Sequence, residues 1–185
     1  LPHHLKARTN RYKNDVLSKA RQHKLPPSLV FVVIHTESNF NPKARSHTPA
    51  YGLMQLVPKS GARDAYRYLH KKDRFVGGEY LYIPKNNLEL GFAYLGKLRN
   101  VYFKEVTDYD RAYLCVISAY NTGPGNVARV FTEYTKLKPA VDKINNMSSG
   151  KVYSDLKRKL PHRETRDYLA KVTKQIPFYG SYNTM

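Results

Sequence analysis

Apolar and polar positions along this chain recur mostly with the three-four rhythm of helices, not the strict alternation of strands. In Leu29-Val-Phe-Val-Val-Ile34-His-Thr-Glu37, the residues Val30, Val33 and Glu37 share one helix face, which Leu29 and Val32 widen into a core-directed stripe. Pro27 and Ser28 open that helix, after a Leu25-Pro26-Pro27 break that ends a first helix over Tyr12 to His23. Residues 1–10 are polar and basic and are expected to form a loose lead-in, with one domain over 11–185. Residues 38–52 carry Asn, Pro, Ser and Gly at loop density, Leu53 to Val57 is apolar, and Pro58 starts a helical segment to about Leu69.

The basic stretch Lys71 to Gly78 reads as a surface excursion. Tyr80-Leu-Tyr-Ile83 has β-type composition but is brief and bounded by Pro84, so it predicts one small strand at most. Asn87 is placed to cap a helix in which Leu88, Gly91, Phe92, Leu95, Leu98 and Tyr102 keep the rhythm. Asp110 to Tyr120 is apolar nearly all round, the mark of a central buried helix. Asn121-Thr-Gly-Pro-Gly-Asn126 breaks it, Val127 to Phe131 resumes, and helices are predicted at Ala140–Met147, Lys151–Leu160 and Thr165–Ile176. In the last, Thr165, Tyr168, Leu169, Val172 and Ile176 share a face. The sum is a mainly α domain of about eight helices around a cleft, with at most a very small β element.

Composition narrows the partners. With 32 Lys and Arg against 14 Asp and Glu, the net charge of +18 recruits anionic polymers: nucleic acid, anionic lipid or an acidic cell wall. The basic residues are scattered, with no helix-turn-helix, zinc or RNP pattern, so nucleic acid is set aside. The 16 Tyr and 7 Phe, with no Trp, suit the lining of a polar groove. Cys115, the single cysteine, excludes an internal disulfide and reads as a small buried hydrophobe in Tyr113-Leu-Cys-Val-Ile117. The seven histidines lack metal spacing, and neither a metal nor an organic cofactor is expected. No signal-peptide pattern is visible, and the longest aliphatic-aromatic run, Leu29 to Ile34, is too short to cross a bilayer. The start at Leu1 reads as a processed or excised chain and leaves a removed signal or lipid anchor open.

Glu37 is the candidate for chemistry. A carboxyl group beside an apolar stripe loses hydration, which favours its neutral, proton-donating form, the requirement for a general acid near neutral pH. A solvated glutamate at a helix end is the plain alternative. No Asp or Glu lies between Glu37 and Asp64, so no second carboxylate stands near it in the sequence. His35 points to the other side of the helix and is read as structural.

Three segments stand out in order: Glu37-Ser38-Asn39-Phe40-Asn41-Pro42 continuing to Ser46, then Gly52-Leu53-Met54-Gln55, then Ala119-Tyr120-Asn121-Thr122-Gly123-Pro124-Gly125. Together they resemble the soluble-lytic-transglycosylase family of lysozyme-like (goose-type) enzymes, with its motifs E-S-x-F-x-P-x-A-x-S, G-L-M-Q and A-Y-N-x-G-x-G. Glu164-Thr165-Arg166-Asp167-Tyr168 is similar to the late E-T-R-x-Y segment, so the likeness runs over residues 8–172. Phe75 to Tyr94 and Asn145 to Tyr153 look most like the membrane-bound C-type branch of lytic murein transglycosylases, whose separate amino-terminal domain has no counterpart here. Thr122 departs from the small residue usual at its position, and Asn126 and Val57 are not diagnostic.

The resemblance implies a peptidoglycan lytic transglycosylase. Glu37 would protonate the β-1,4 oxygen between N-acetylmuramic acid and N-acetylglucosamine and then take the proton of the C6 hydroxyl as it closes on C1, leaving a 1,6-anhydromuramoyl end. It implies that Ser46 orients Glu37, that Gln55 meets the sugar's polar edge, and that Met54 packs beneath the sugar or in the core. Tyr120 and Asn121 would support the oxocarbenium-like transition state and the N-acetyl group, and Tyr168 would bring its hydroxyl near Glu37. Each has a structural counterpart: a loop serine, a helix-end amide, a core tyrosine, an asparagine cap, a packed Tyr168. Gly123 and Gly125 are expected to permit a tight reversal and close backbone approach. The expected partners are peptidoglycan strands and an anionic membrane surface, for a monomer in the bacterial envelope, in the periplasm and outer-membrane anchored through a segment not in this chain. A hydrolytic muramidase and a non-catalytic glycan-binding module are the rival readings.

Overall fold

The computed structural model describes all 185 residues. They form two compact units, Leu1–Gly96 with Gln175–Met185, and Lys97–Lys174.

In the first unit, α1 (His3–Gln22) and α2 (Pro27–Ser38) pack together, and a 3-10 segment at Ile176–Thr184 returns to cover α2. The π turn Pro58–Ala62 leads into α3 (Arg63–His70), the single turn α4 (Gly78–Leu81) follows, and then α5 (Pro84–Lys97). Helix α2 is buried on every side rather than along a stripe: Leu29 through Ile34 are all at 0–1% exposure. Six consecutive apolar side chains, each contributing about 2 kcal/mol of transfer free energy, make this helix the centre of the unit. Its far face is supplied by the 3-10 segment, where Phe31 meets Tyr179 at 5.8 Å and Tyr182 at 4.3 Å between ring centroids. The helix start is completed at long range. Pro27 has no N–H to satisfy, and the Ser28 N–H donates to Asn183 Oδ1 at 2.9 Å. His35 has the structural role expected of it, with Nδ1 2.9 Å from the buried Tyr179 hydroxyl.

Three local expectations are corrected. The first helix starts at His3, so most of the residues read as a loose lead-in are helical, and Leu5 and Thr9 are buried beneath it. Tyr80–Ile83 is not a strand: no partner edge adjoins it, and Tyr80 and Leu81 close a helical turn instead. The β element is elsewhere, two isolated antiparallel bridges pairing Arg45 with Tyr51 and Tyr51 with Leu56. Asn87 does not cap a helix. Pro84 starts α5 three residues earlier, and Asn87 lies within it, buried and turned to other work.

In the second unit, α6 (Tyr109–Thr122) is the buried helix anticipated from its composition, packed on α7 (Pro124–Thr132) and α9 (Ser149–Lys159). Asp108 caps it by accepting from Arg111 N–H at 3.0 Å. The Arg111 guanidinium donates to the carbonyls of Ile144, Asn145 and Met147 at the end of α8 (Leu137–Asn145), complementing that helix's negative pole. The last helix is α10 (Arg163–Gln175). No helix of the chain is long and apolar enough to cross a membrane.

Cys115 has no exposed surface, and burial pushes its thiol up to about 12, so the reactive thiolate is absent at neutral pH. Maleimide labelling of the native protein at pH 7 is therefore expected to be negligible and to rise along the denaturant unfolding curve. Rapid labelling in buffer alone would show that α6 opens locally.

Candidate active site

Glu37 stands in the last turn of α2, half-buried, the next acids along the chain being Asp15 and Asp64. The chain leaves the helix abruptly: Asn39 and Phe40 both take left-handed backbone angles, φ 55° and 59°. Two successive non-glycine residues in that region store local strain, which persists where surrounding structure enforces it. The enforcing contacts are visible. Phe40 is buried at 2% exposure, Asn39 N–H donates to His35 O at 2.9 Å, and Asn41 N–H to Ser38 O at 2.9 Å.

Ser38 ties this helix end to the second motif. Its hydroxyl lies 2.7 Å from Leu53 O and 3.1 Å from Ile34 O, a shared donation in which the contact to the neighbouring loop is the shorter. The residue beside the candidate acid is thus anchored to the centre of the Gly52-Leu53-Met54-Gln55 segment. That segment is a tight turn closed by Tyr51 and Leu56, which exchange backbone hydrogen bonds at 3.0 and 3.1 Å. The turn needs positive φ at both ends, 79° at Gly52 and 50° at Gln55.

What holds the turn is α5. Asn87, at 0% exposure, accepts from Met54 N–H at 2.8 Å through Oδ1 and donates through Nδ2 to Tyr51 O at 2.7 Å and Leu81 O at 2.9 Å. A Cβ at Gly52 would overlap that carboxamide and the Leu81 carbonyl, so glycine is required there by space as well as by angle. One turn on, Gly91 provides the hollow for Met54: any side chain at 91 would overlap the thioether. Met54 is at 0% exposure, which places it in the core.

Gln55 and Ser46 are engaged within the loop. Gln55 Nε2 donates to Ala44 O at 3.1 Å and to Gly52 O at 3.0 Å, so both its N–H groups are used and Oε1 is the edge left to a ligand. Ser46 Oγ lies 2.5 Å from Thr48 Oγ1 and accepts from Ala50 N–H at 3.0 Å, fixing the bend that brings residues 46–50 back toward Tyr51.

The second unit holds the other candidates. Tyr120, 8% exposed, and Asn121 form the last turn of α6, and Gly123, with φ 88°, reverses the chain into Pro124 at the start of α7. Gly125 has room for an ordinary Cβ contact with Thr135, so the reversal depends on Gly123. Asn121 Oδ1 accepts from Thr165 Oγ1 at 2.7 Å, which joins the third motif to the fourth. Tyr168, also 8% exposed, lies one helical turn beyond Thr165 on α10. Thr122, which departs from the small residue usual at its position, is bonded by Asn126, whose Nδ2 donates to Thr122 Oγ1 at 2.8 Å.

The four motifs therefore resolve into two linked pairs, the first with the second through Ser38 and the third with the fourth through Thr165. Ser38 and Thr165 were within the motifs, but neither was given a role. Asn87 was missed because a buried asparagine in a helix interior has the same local signature as a cap.

Asn87→Ala would remove the carboxamide bonded to Met54 N–H, Leu81 O and Tyr51 O, of which Tyr51 O keeps its bond from Leu56 N–H. At roughly 1 kcal/mol for each lost bond, a destabilisation of about 3 kcal/mol is expected. Chemical denaturation checks it, and a change below about 1 kcal/mol would show that the turn holds without the carboxamide.

The family model described as "Transglycosylase SLT domain" matches residues 15–142. The chain is 40% identical over 172 residues to the membrane-bound lytic murein transglycosylase C of Klebsiella pneumoniae subsp. pneumoniae, covering 93% of this chain and 47% of that protein. It is 38% identical over 179 residues to the protein of the same name from Cronobacter sakazakii, covering 97% and 49%. The chain thus spans about half the length of these curated relatives. Among solved structures it is similar to an inactive mutant of lytic transglycosylase Slt from Pseudomonas aeruginosa, with TM-score 0.67 and 26% identity over 90% of this chain and 23% of that one. The 70 kDa soluble lytic transglycosylase of Escherichia coli shares the fold at TM-score 0.64 and 23% identity, over 91% of this chain and 24% of that one.

Proposed function

Since the chain belongs to the transglycosylase SLT domain family, we propose that it cleaves the β-1,4 bond between N-acetylmuramic acid and N-acetylglucosamine in peptidoglycan, without water. The observation that carries this reading is Glu37: one half-buried carboxylate closing a helix with six consecutive buried apolar residues, its neighbour Ser38 bonded to the G-L-M-Q turn. The names of the curated relatives, lytic murein transglycosylases, support the same substrate.

In the proposed reaction Glu37 gives its proton to the glycosidic oxygen as the bond from C1 to that oxygen breaks. Positive charge develops on C1 and the ring oxygen. The C6 hydroxyl of the same sugar then attacks C1, forming the 1,6-anhydro bond, and its proton returns to the Glu37 carboxylate. Atoms balance with no water consumed and the acid regenerated. A nucleophile carried by the substrate is already oriented, which removes the need for a second protein carboxylate. Gln55 Oε1 accepts from the sugar's polar edge, and Ser46 shapes the loop that borders Glu37. Tyr120 and Asn121 support the developing cation and the N-acetyl group, with Tyr168 assisting the acid. Met54 acts from beneath, by filling the hollow over Gly91. The protein acts as a monomer in the bacterial cell envelope, on the periplasmic side, tethered like relatives named as membrane-bound. The net charge of +18 supports attraction to anionic wall or membrane.

Digestion of purified sacculi tests the reading. The expected products are lighter by one water than hydrolysed muropeptides, and products carrying that water would make the protein a muramidase. Glu37→Gln is expected to lower the rate about a thousandfold while leaving the melting temperature and sacculus binding in place. Retained turnover would refute the role of Glu37.

Tyr120→Phe removes one hydroxyl from a buried ring. A fall in kcat of about tenfold at unchanged melting temperature is expected from lost transition-state support. An unchanged rate would leave Tyr120 a packing residue.

A further inference from the structure

The loop between the first two motifs carries two cations that the proposed reaction does not use. Lys43 and Arg45 flank Ala44, and both are exposed. Some cations of the surface are matched by carboxylates: Arg63 and Arg67 share Asp73, and Lys151, Arg158 and Lys159 surround Asp155. Lys43 and Arg45 take part in no ion pair. Instead they lie on aromatic faces. Lys43 Nζ is 5.5 Å from the Tyr82 ring centre, and the Arg45 guanidinium carbon is 5.5 Å from that of Tyr51. The two rings meet edge to face at 5.4 Å, interplanar angle 86°. The result is a continuous strip, Lys43, Tyr82, Tyr51, Arg45, with a cation at each end.

The strip is fixed rather than draped. Arg45 and Tyr51 are partners in an antiparallel bridge, so their side chains are cross-strand neighbours. The Tyr51 ring is seated against Gly78, where any Cβ would overlap it. Ala44, between the two cations, accepts from Gly52 N–H at 2.8 Å and from Gln55 Nε2 at 3.1 Å. The strip is therefore bolted to the turn proposed to border the sugar. A guanidinium stacked on a ring keeps its N–H donors pointing outward in the guanidinium plane, and an ammonium over a ring keeps donors free. Both cations are thus held and oriented, with their hydrogen-bonding capacity unspent.

We propose that Lys43 and Arg45, carried on Tyr51 and Tyr82, form a subsite for the carboxylates of the peptide stems attached to the glycan, so that this chain selects stem-bearing strands over bare ones. The proposal rests on the peptidoglycan reading above and deepens it. The glycan backbone of the proposed substrate is held by neutral hydroxyl and N-acetyl groups. Its fixed negative charge lies in the stems, the chemistry that two oriented, unpaired cations fit. Rings between the cations give apolar surface to the aliphatic parts of the stem. Lys43 and Arg45 stand at the two x positions that flank the alanine of E-S-x-F-x-P-x-A-x-S, so the subsite belongs to this chain's own loop rather than to the shared motif.

The test compares glycan strands bearing stems with the same strands after an amidase has removed them, which leaves one lactyl carboxylate on each muramic acid in place of the several of the stem, for the unaltered chain and for Lys43→Gln/Arg45→Gln. The unaltered chain is expected to show a kcat/KM about tenfold higher on stem-bearing strands. The double variant is expected to lose that preference through KM, with its rate on bare strands and its melting temperature unchanged, and with a flatter salt dependence. Equal loss on both substrates, or no loss on either, would overturn the subsite. An unaltered chain that degrades neither substrate would fail at the reaction itself, a result distinguishable from loss of selectivity. Retention on phosphatidylglycerol vesicles that the double variant loses, with turnover on both strands unaltered, would overturn the assignment by giving the strip to a lipid surface.

Discussion

The carboxamide of Asn87 is the constraint on which the first unit's functional half depends. It spends three hydrogen bonds on the backbone of one turn and its flank, those to Met54 N–H and Leu81 O in the core. An unsatisfied buried group costs more than a satisfied one contributes, so the turn is held most firmly where the carboxamide meets it. The turn they hold then carries Leu53 O, the acceptor for Ser38. Ser38 in turn fixes the end of α2 beside Glu37. A side chain on α5 thus sets the position of a carboxylate on α2 through a loop that belongs to neither helix.

Much of this architecture was legible before any coordinates. Helix α2 and helices α6 to α10 were marked by their apolar rhythm and by proline and glycine punctuation, and these are the strongest local signals. The failures have a common cause, which is that the deciding partner lay far along the chain. Tyr80 and Leu81 look like strand residues, but a strand needs an edge to pair with, and none adjoins them. Asn87 looks like a cap because caps and buried braces use the same side chain. The lead-in at residues 1–10 looks loose because it is basic, yet Leu5 and Thr9 find burial against the rest of the unit. The 3-10 segment at Ile176–Thr184 has a flat apolar pattern, and only α2 shows where it belongs.

The candidate site residues divide by the same criterion. Glu37 was singled out as a candidate from type and context, and the reversal found at Gly123 was expected there. The working bonds of Ser46 and Gln55 could not be read, since both spend their polar groups on loop backbone first. A loop whose polar groups are already bonded keeps one shape, so whatever it presents outward needs no ordering when a ligand arrives. The left-handed residues Asn39, Phe40 and Gln55 show the same economy from the other side, with local strain held by packing where a loop must keep one shape.

The Asn183 bond to Ser28 spans 155 positions of the chain. Nascent polypeptide emerges from its amino end, so α2 is made well before the amide that finishes its opening turn and the Tyr179 ring that shields its flank. The helix that bears Glu37 therefore cannot settle as it is made and must wait for the segment that covers it. A chain cut between the two would carry this carboxylate without its setting.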